Sequence, residues 1–255
     1  MKKITFILLS VFMVGSLMAQ QVEGPSRTYG NISGQANNVL YAQMNPVDTI
    51  PVVASQQFTD LSNSVAQIAD DFMVPMGKTW DVTAVAAMGG YFNAGDGPAN
   101  SFTVQIYADN SGVPASTPMF EQTVVNYSGN STTGRFDIPL SSTIQLNAGH
   151  YWISIFAVMD YSQHGQWGWA WNGDAQINDV FADQDPDQVL GGVWPVSWEP
   201  STSYAAWSGR SNYDLSFEID GTEATAAVPV SNWAIVLGIF LIAVFIVVRY
   251  RRRLA

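Results

Sequence analysis

The sequence predicts an all-β protein, an antiparallel β-sandwich of the jelly-roll type, with an N-terminal signal peptide and one C-terminal transmembrane helix. Three observations carry this prediction. Between residues 65 and 222, several stretches alternate apolar and polar residues with the period of two that is typical of strands. Clusters of Gly, Asn, Asp and Ser separate these stretches. The segments of membrane character lie only at the two ends of the chain.

Residues 1–19 have the pattern of a secretory signal peptide. Lys2 and Lys3 precede an apolar stretch, and small or flexible residues follow it up to Ala19. We expect cleavage after Ala19, with an uncleaved anchor as the alternative. Residues 20–64 follow as an irregular lead-in, because Gly, Pro and Asn interrupt its short apolar pieces, and we expect one edge strand in it, near residues 50–53.

The domain itself is predicted to span residues 65–222. Its clearest alternation lies in the segment 101–108, where Phe102, Val104 and Ile106 share one face. The strand candidates are Val65–Val74, Trp80–Phe92, Ser101–Ala108, Met119–Tyr127, Arg135–Leu140, Thr143–Leu146, Tyr151–Val158, Trp167–Trp171 and Leu215–Asp220. About nine strands at such spacing favour a single antiparallel sandwich with jelly-roll topology.

The C-terminus combines three features in a fixed order. After a small-residue linker at 223–227, a short motif at 228–233 precedes an apolar run over 233–248 and an arginine-rich end over 249–255. The motif consists of Val228, Pro229, Val230, Ser231, Asn232 and Trp233. Motif and apolar run together form about 31 Å of helix, enough to cross a hydrocarbon core of about 30 Å. Basic residues stay on the cytoplasmic side, so the domain is predicted to face away from the cytoplasm.

These tail residues resemble the exosortase-type C-terminal sorting signals of Gram-negative bacteria, and the nearest variant is the IPTL-CTERM kind. The sequence departs from that variant at Val228-Pro229-Val230, where the family has Ile-Pro-Thr. The resemblance implies that the secretion machinery and a membrane sorting protease are partners. It also implies that the tail is removed near the motif, which sends the protein to the cell surface or the extracellular matrix. An ordinary single-pass anchor is the alternative.

A second resemblance covers the domain. Its segments are Ala69–Pro75, Gly77–Val82, Phe102–Asp109, Gly149–Ser154 and Tyr213–Thr222. In this order they are similar to a β-sandwich domain that is common in large bacterial surface and secreted proteins. That family has no agreed catalytic residues, so the resemblance implies a fold and a setting rather than a chemistry.

Charge and cysteine content narrow the possible partners. Six of the 10 Lys and Arg residues lie in the terminal targeting segments, so the exported part keeps 4 basic against 21 acidic residues, a formal net charge of 4 − 21 = −17. A surface this acidic repels nucleic acid and favours divalent cations or neutral partners. The chain has no cysteine, which excludes disulfide bonds, thiol catalysis and iron–sulfur clusters.

Four aspartates form the candidate metal site, Asp179, Asp183, Asp185 and Asp187. Carboxylates at alternate positions of a loop can converge on calcium, which takes about six to eight oxygen ligands. The EF-hand pattern is not met, because Gln188 stands where that loop needs Gly. A structural Ca²⁺ and a solvated acidic loop are both open interpretations.

Aromatic residues form the candidate ligand site. Trp167, Trp169 and Trp171 alternate, so three indoles share one strand face. Such a stripe either fills the inner face of the sandwich or forms a platform for sugars. The better candidates for an exposed ligand-binding site lie in a proline-containing stretch or just after it, and they are Trp194, Trp198, Tyr204 and Trp207.

No catalytic residues are predicted, because a nucleophilic triad needs a reactive serine beside one of the two histidines and the sequence contains no nucleophile-elbow pattern. Glu199 with Asp185 or Asp187 could serve glycoside hydrolysis, but nothing in their spacing selects that pair. Asp70 and Asp71 are expected to form a hydrogen-bonding or ion site at a strand end rather than an acid–base pair.

We therefore expect a non-enzymatic, exported β-sandwich protein of the cell surface or extracellular matrix, sorted by a cleavable tail. The first alternative is a carbohydrate-binding module for a surface or matrix polysaccharide. A glycoside hydrolase is a remote alternative.

Overall fold

The computed structural model describes residues 38–45, 52–93, 95–130, 134–173, 177–192, 194–201 and 214–225, together with single positions between 236 and 249. The described residues up to Ala224 belong to one compact unit and those from Thr225 onward to a second. The described positions of the C-terminal segment are helical. Among the described residues, no helix is long and apolar enough to cross a membrane. The predicted signal peptide and the motif at 228–233 lie outside the described residues.

Strands dominate the first unit, which confirms the predicted β-rich class. In chain order they are β1 Val39–Gln43, β2 Val52–Ala54, β3 Gln56–Phe58, β4 Ser64–Phe92, β5 Ser101–Ala108, β6 Phe120–Val124, β7 Ser128–Gly129, β8 Arg135–Met159, β9 Gln166–Ala170, β10 Ala182–Gln184, β11 Glu199–Pro200 and β12 Phe217–Thr225. A single helical turn, α1 Tyr161–His164, joins β8 to β9.

The main path of the sheet runs in the order β1-β12-β4-β3-β8-β5-β6. β4 also pairs directly with β8, and β9 pairs with β2 and β4. β10 extends the sheet by pairing with β4 and β11. Most of these pairs are antiparallel, but β3 runs parallel to β8. The sheet is therefore mixed, which corrects the expectation of a purely antiparallel arrangement.

Two long strands organise the fold. β4 has 29 residues and β8 has 25, and they pair antiparallel along most of their length. The sequence predicts strand breaks at the turn residues around Gly77 and Gly149. Instead both strands continue, and their register shifts between Val74 and Thr79. Gly77 has a φ of 75°, so the turn-forming residues produce a bulge within a strand and not a separate loop.

The strand boundaries differ from the prediction mainly outside the alternating segments. β5 coincides with the predicted strand over 101–108. The lead-in was expected to be irregular apart from one strand near residues 50–53; β2 overlaps that strand, whereas β1 and β3 were not predicted. β12 continues through the first residues of the predicted linker, where Glu223 pairs with Lys78 at 2.5 Å and accepts a hydrogen bond from the Trp80 indole at 3.2 Å.

The core is rich in aromatic side chains, and the alternating tryptophans lie inside it. Trp167, Trp169 and Trp171 are 0%, 0% and 2% exposed. The core-filling interpretation of this stripe is therefore confirmed. β9 is buried on both faces, because the intervening Gly168 leaves room for Val52, whose Cγ2 lies only 2.7 Å from where a Cβ would stand.

Candidate functional site

A cluster of buried carboxylates lies in the first half of β4. Asp70 and Asp71 are both fully buried, and Asp214, which precedes β12, is fully buried as well. Successive residues of a strand point to opposite faces of the sheet. Asp70 therefore shares the face of Phe72, whereas Asp71 points to the other side. Three carboxylates at 0% exposure are unusual, because burying a charge is costly unless it is compensated.

Asp70 is held by a network of hydrogen bonds. Its Oδ2 accepts from Gln43 Nε2 at 2.7 Å and from the backbone N–H of Leu215 at 2.6 Å, and its Oδ1 accepts from the backbone N–H of Asp71 at 2.9 Å. The Gln43 amide also donates to the Leu215 carbonyl at 2.7 Å, and Tyr41 donates to Gln43 Oε1 at 2.5 Å. Asp70 thus joins β1, β4 and the chain that enters β12.

Asp71 meets a histidine across the sheet. The pairing of β4 with β8 places Asp71 opposite Trp152 and Met73 opposite His150. Asp71 and His150 are therefore diagonal neighbours on one face, within reach of each other. His150 Nε2 is hydrogen-bonded to Asp71 Oδ2, which also accepts from the backbone N–H of Asp179 at 3.4 Å. The other oxygen, Asp71 Oδ1, is buried and has no hydrogen-bond partner in the described part of the chain.

A second carboxylate stands on the far side of the imidazole. His150 Nδ1 lies 3.6 Å from Asp109 Oδ1. Asp109 is fixed in turn by the Trp152 indole N–H at 3.0 Å and by the backbone N–H groups of Ser111 and Gly112 at 3.2 and 3.1 Å. The His150 side chain is 22% exposed, so the cluster reaches solvent at this end.

The buried acids resist ionisation. Burial raises the pKa of Asp71 to about 6 and the pKa of Asp214 to about 7, and in Asp214 the negative charge of Asp71 adds to the shift. Burial, together with the charges of Asp214 and Asp71, also raises the pKa of Asp70 well above its ordinary value. Burial opposes the ionised form of Asp109 too, but the hydrogen bond from Trp152 and the two backbone bonds lower its pKa overall. Such a cluster attracts either protons or a cation.

One set of side chains in the described residues has the arrangement of metal ligands. Asp71, His150 and Asp179 each offer one ligand atom, and these three atoms lie within 4.8 Å of one another. They come from β4, from β8 and from the segment between β9 and β10. Asp70 and Asp71 were expected to form a strand-end hydrogen-bonding or ion site; the structure places both within a long strand, with Asp71 in this ligand group and Asp70 in the hydrogen-bond network on the other face.

The four aspartates predicted to bind calcium do not come together. Asp179 lies beside Asp71, whereas Asp183 is buried in β10. The Asp185 carboxylate accepts the backbone N–H groups of residues 189 and 190, both at 2.8 Å, and thereby closes its own turn. Asp187 accepts the N–H of Val65 at 3.1 Å. Among the described residues the four carboxylates therefore do not form one ligand set, because Asp179 contacts Asp71 while Asp185 and Asp187 accept backbone hydrogen bonds.

The expectation that Trp194 and Trp198 are exposed is wrong. They are 5% and 8% exposed. Trp198 packs edge-on against Tyr107 with ring centroids 5.5 Å apart. The prolines around them do place the pair in an irregular segment, but that segment folds its indoles inward. The remaining candidates, Tyr204 and Trp207, lie outside the described residues.

Sequence reasoning did not connect His150 with the aspartates. A signal was present, since His150 follows directly on a turn glycine and Asp70-Asp71 precede a predicted turn, but the link depends on the register between β4 and β8. The chain matches no protein-family model, no curated protein and no solved structure. The interpretation of the cluster therefore rests on its own geometry.

Proposed function

We propose that the protein is an exported, non-enzymatic β-sandwich of the jelly-roll type that acts at the cell surface or in the extracellular matrix of a Gram-negative bacterium. The observation that carries this proposal is the order of three parts along the chain. A signal-peptide pattern comes first, an acidic and cysteine-free β domain second, and the Pro229–Trp233 lead-in with its apolar, arginine-ended tail last. The β-rich first unit, which ends at Ala224 just before the tail, is consistent with a separate cargo domain.

The parts define a route. The signal peptide delivers the chain to the secretion machinery, and the apolar tail then holds it in the inner membrane with the arginines in the cytoplasm. A membrane sorting protease cuts near the motif at 228–233 and releases the domain to the surface. The formal charge of −17 keeps the released domain away from nucleic acid, so its partners are neutral polymers, other surface proteins or cations.

The carbohydrate-binding alternative has less support. A sugar platform needs exposed aromatic rings, yet all seven tryptophans in the described part of the chain are buried. The remaining predicted ligand-binding residues, Trp207 and Tyr204, lie outside the described residues. A glycan array separates the two functions: binding that disappears in Trp207→Ala favours the module, whereas a protein that binds no glycan favours a structural or interaction role.

The export proposal is tested by a matched pair of motif variants in the native host. Pro229→Ala removes the residue on which the resemblance depends, while Ser231→Ala changes a neighbouring position of similar size. We expect Pro229→Ala to accumulate as an unprocessed inner-membrane form and Ser231→Ala to reach the surface like the natural protein. Surface delivery of Pro229→Ala at the natural level, or a natural protein that stays in the cytoplasm, would contradict the proposal.

A further inference from the structure

We propose that Asp71, His150 and Asp179 bind one divalent transition-metal ion of the zinc class, which fastens the segment before β10 onto β4 and β8. This site is distinct from the calcium site predicted around Asp183 to Asp187, and it does not depend on the export proposal. We assign the ion a structural role, because it would link parts of the chain that are far apart in sequence.

The geometry is close to that of a coordination sphere. Zinc is bound tetrahedrally by imidazole nitrogen and carboxylate oxygen at about 2.0–2.2 Å, so its ligand atoms lie about 3.4 Å from one another. The three candidate atoms already lie within 4.8 Å of one another. Binding therefore needs side-chain rotations that bring the three atoms to this spacing, including a separation of His150 Nε2 from Asp71 Oδ2, which are in direct contact in the structure.

A buried carboxylate oxygen of Asp71 favours a cation as its partner. Asp71 is fully buried, and its Oδ1 has no hydrogen-bond partner in the described residues. A buried polar atom in this state is costly and calls for an explanation such as a bound ion. The described lysine and arginine side chains do not provide a positive charge beside Asp71, because Lys78 pairs with Glu223 and Arg135 pairs with Asp137 and Glu218.

The ligand types select the metal. Calcium takes about six to eight oxygen ligands, whereas this group offers two carboxylates and one imidazole nitrogen. Imidazole suits zinc and its first-row neighbours, and zinc accepts three protein ligands with water in the fourth position. Water can reach that position because His150 is 22% exposed.

The surroundings of His150 match those of a metal-bound histidine. A ligating imidazole uses one nitrogen for the metal and commonly donates its other N–H to a carboxylate, which fixes the ring and its tautomer. His150 presents Nε2 to Asp71 and has Asp109 Oδ1 3.6 Å from Nδ1. Trp152 holds Asp109 in place through a 3.0 Å hydrogen bond. Asp109 is therefore a positioning residue for the ligand and does not touch the ion.

The test is titration of the full-length protein, purified in detergent and stripped with a chelator, with ZnCl₂ or CaCl₂ in a calorimeter. We expect one zinc ion per chain and a melting temperature that rises with free zinc, because a ligand that binds only the folded state stabilises it. Calcium at the same concentration should bind much more weakly. Asp109→Asn should weaken zinc binding by about 10- to 100-fold, as the loss of an outer-shell partner does.

The two histidines of the chain provide a matched control. His150→Ala should abolish stoichiometric zinc binding, whereas His164→Ala should leave it unchanged. Because His150 is partly exposed, its variant is expected to keep the far-ultraviolet circular dichroism of the natural protein, so a loss of zinc binding can be separated from a loss of folding. Zinc binding that survives His150→Ala, tighter binding of calcium than of zinc, or no stoichiometric zinc binding at all would overturn the proposal.

Discussion

Asp183 provides a test of how the burial of a carboxylate changes its pKa and the stability of the folded protein. The sequence suggests that this residue binds calcium, but the structure places it in β10 at 1% exposure, with Oδ2 unpaired among the described residues. Burial, reinforced by the charge of Glu199, raises its pKa from 3.8 to about 6 and outweighs the opposite effect of the nearby Ser201 hydroxyl. In the absence of a cation, this carboxylate should destabilise the folded protein at neutral pH.

The size and the sign of the effect on the free energy of unfolding follow from the linkage between proton binding and folding. A shift of about two pKa units corresponds to about 3 kcal/mol, because each unit is worth about 1.4 kcal/mol. The folded state holds the Asp183 proton more tightly than the unfolded state. The favourable contribution of the protonated form is therefore fully present below the unfolded pKa of 3.8 and is lost as the pH rises through the folded pKa of about 6.

The perturbation is Asp183→Asn, which keeps the shape of the side chain and removes the titration. By urea unfolding in a chelating buffer, we expect this variant to be more stable than the natural protein by about 3 kcal/mol at pH 7.5 and by about half of that at pH 5. Near pH 4 the two proteins should be almost equal in stability. A difference that does not change with pH, or a variant that is less stable at pH 7.5, would refute the reasoning. A calcium-dependent gain in the natural protein alone would instead favour the calcium prediction.

Two further predictions concern the packing of the core. Trp169→Ala should cost about 3–5 kcal/mol of unfolding free energy in urea titrations, because it removes a fully buried indole, and a loss below about 1 kcal/mol would argue against its place in the core. Gly168→Ala should be destabilising by about 1–3 kcal/mol, since its Cβ would stand 2.7 Å from Val52 Cγ2, 2.8 Å from Val52 Cβ and 3.0 Å from the Val53 backbone oxygen; a melting temperature equal to that of the natural protein would contradict this close packing.

The sequence was most informative where one face of a strand is polar. β5 matches the predicted segment because its apolar and polar residues alternate without interruption. The short strands β1 and β3 escaped prediction, since three to five residues carry too little pattern to separate a strand from a loop. β10 escaped it for another reason. Its central residue is Asp183, and an aspartate does not indicate a buried strand; the residue is buried because β10 pairs with β4.

The candidate site was predictable in its parts but not in its assembly. Asp70-Asp71 stood out as a pair of acids in an apolar stretch, and His150 stood out as one of only two histidines. Their contact depends on the register of two long strands, which places His150 diagonally opposite Asp71 across 79 positions of chain. A shift of one residue would have put the two side chains on opposite faces. Closeness in sequence grouped Asp179 with Asp183, Asp185 and Asp187, whereas the structure brings it beside Asp71 and His150.

The central claim is that the protein is an exported cargo whose tail is removed, and intact mass spectrometry of the protein released from the cell surface tests it most directly. The proposal predicts a chain that starts near residue 20 and ends near Val230, without the apolar run and the terminal arginines. A surface protein with the full-length mass, or one that keeps residues 233–255, would contradict the claim and identify the tail as a permanent anchor.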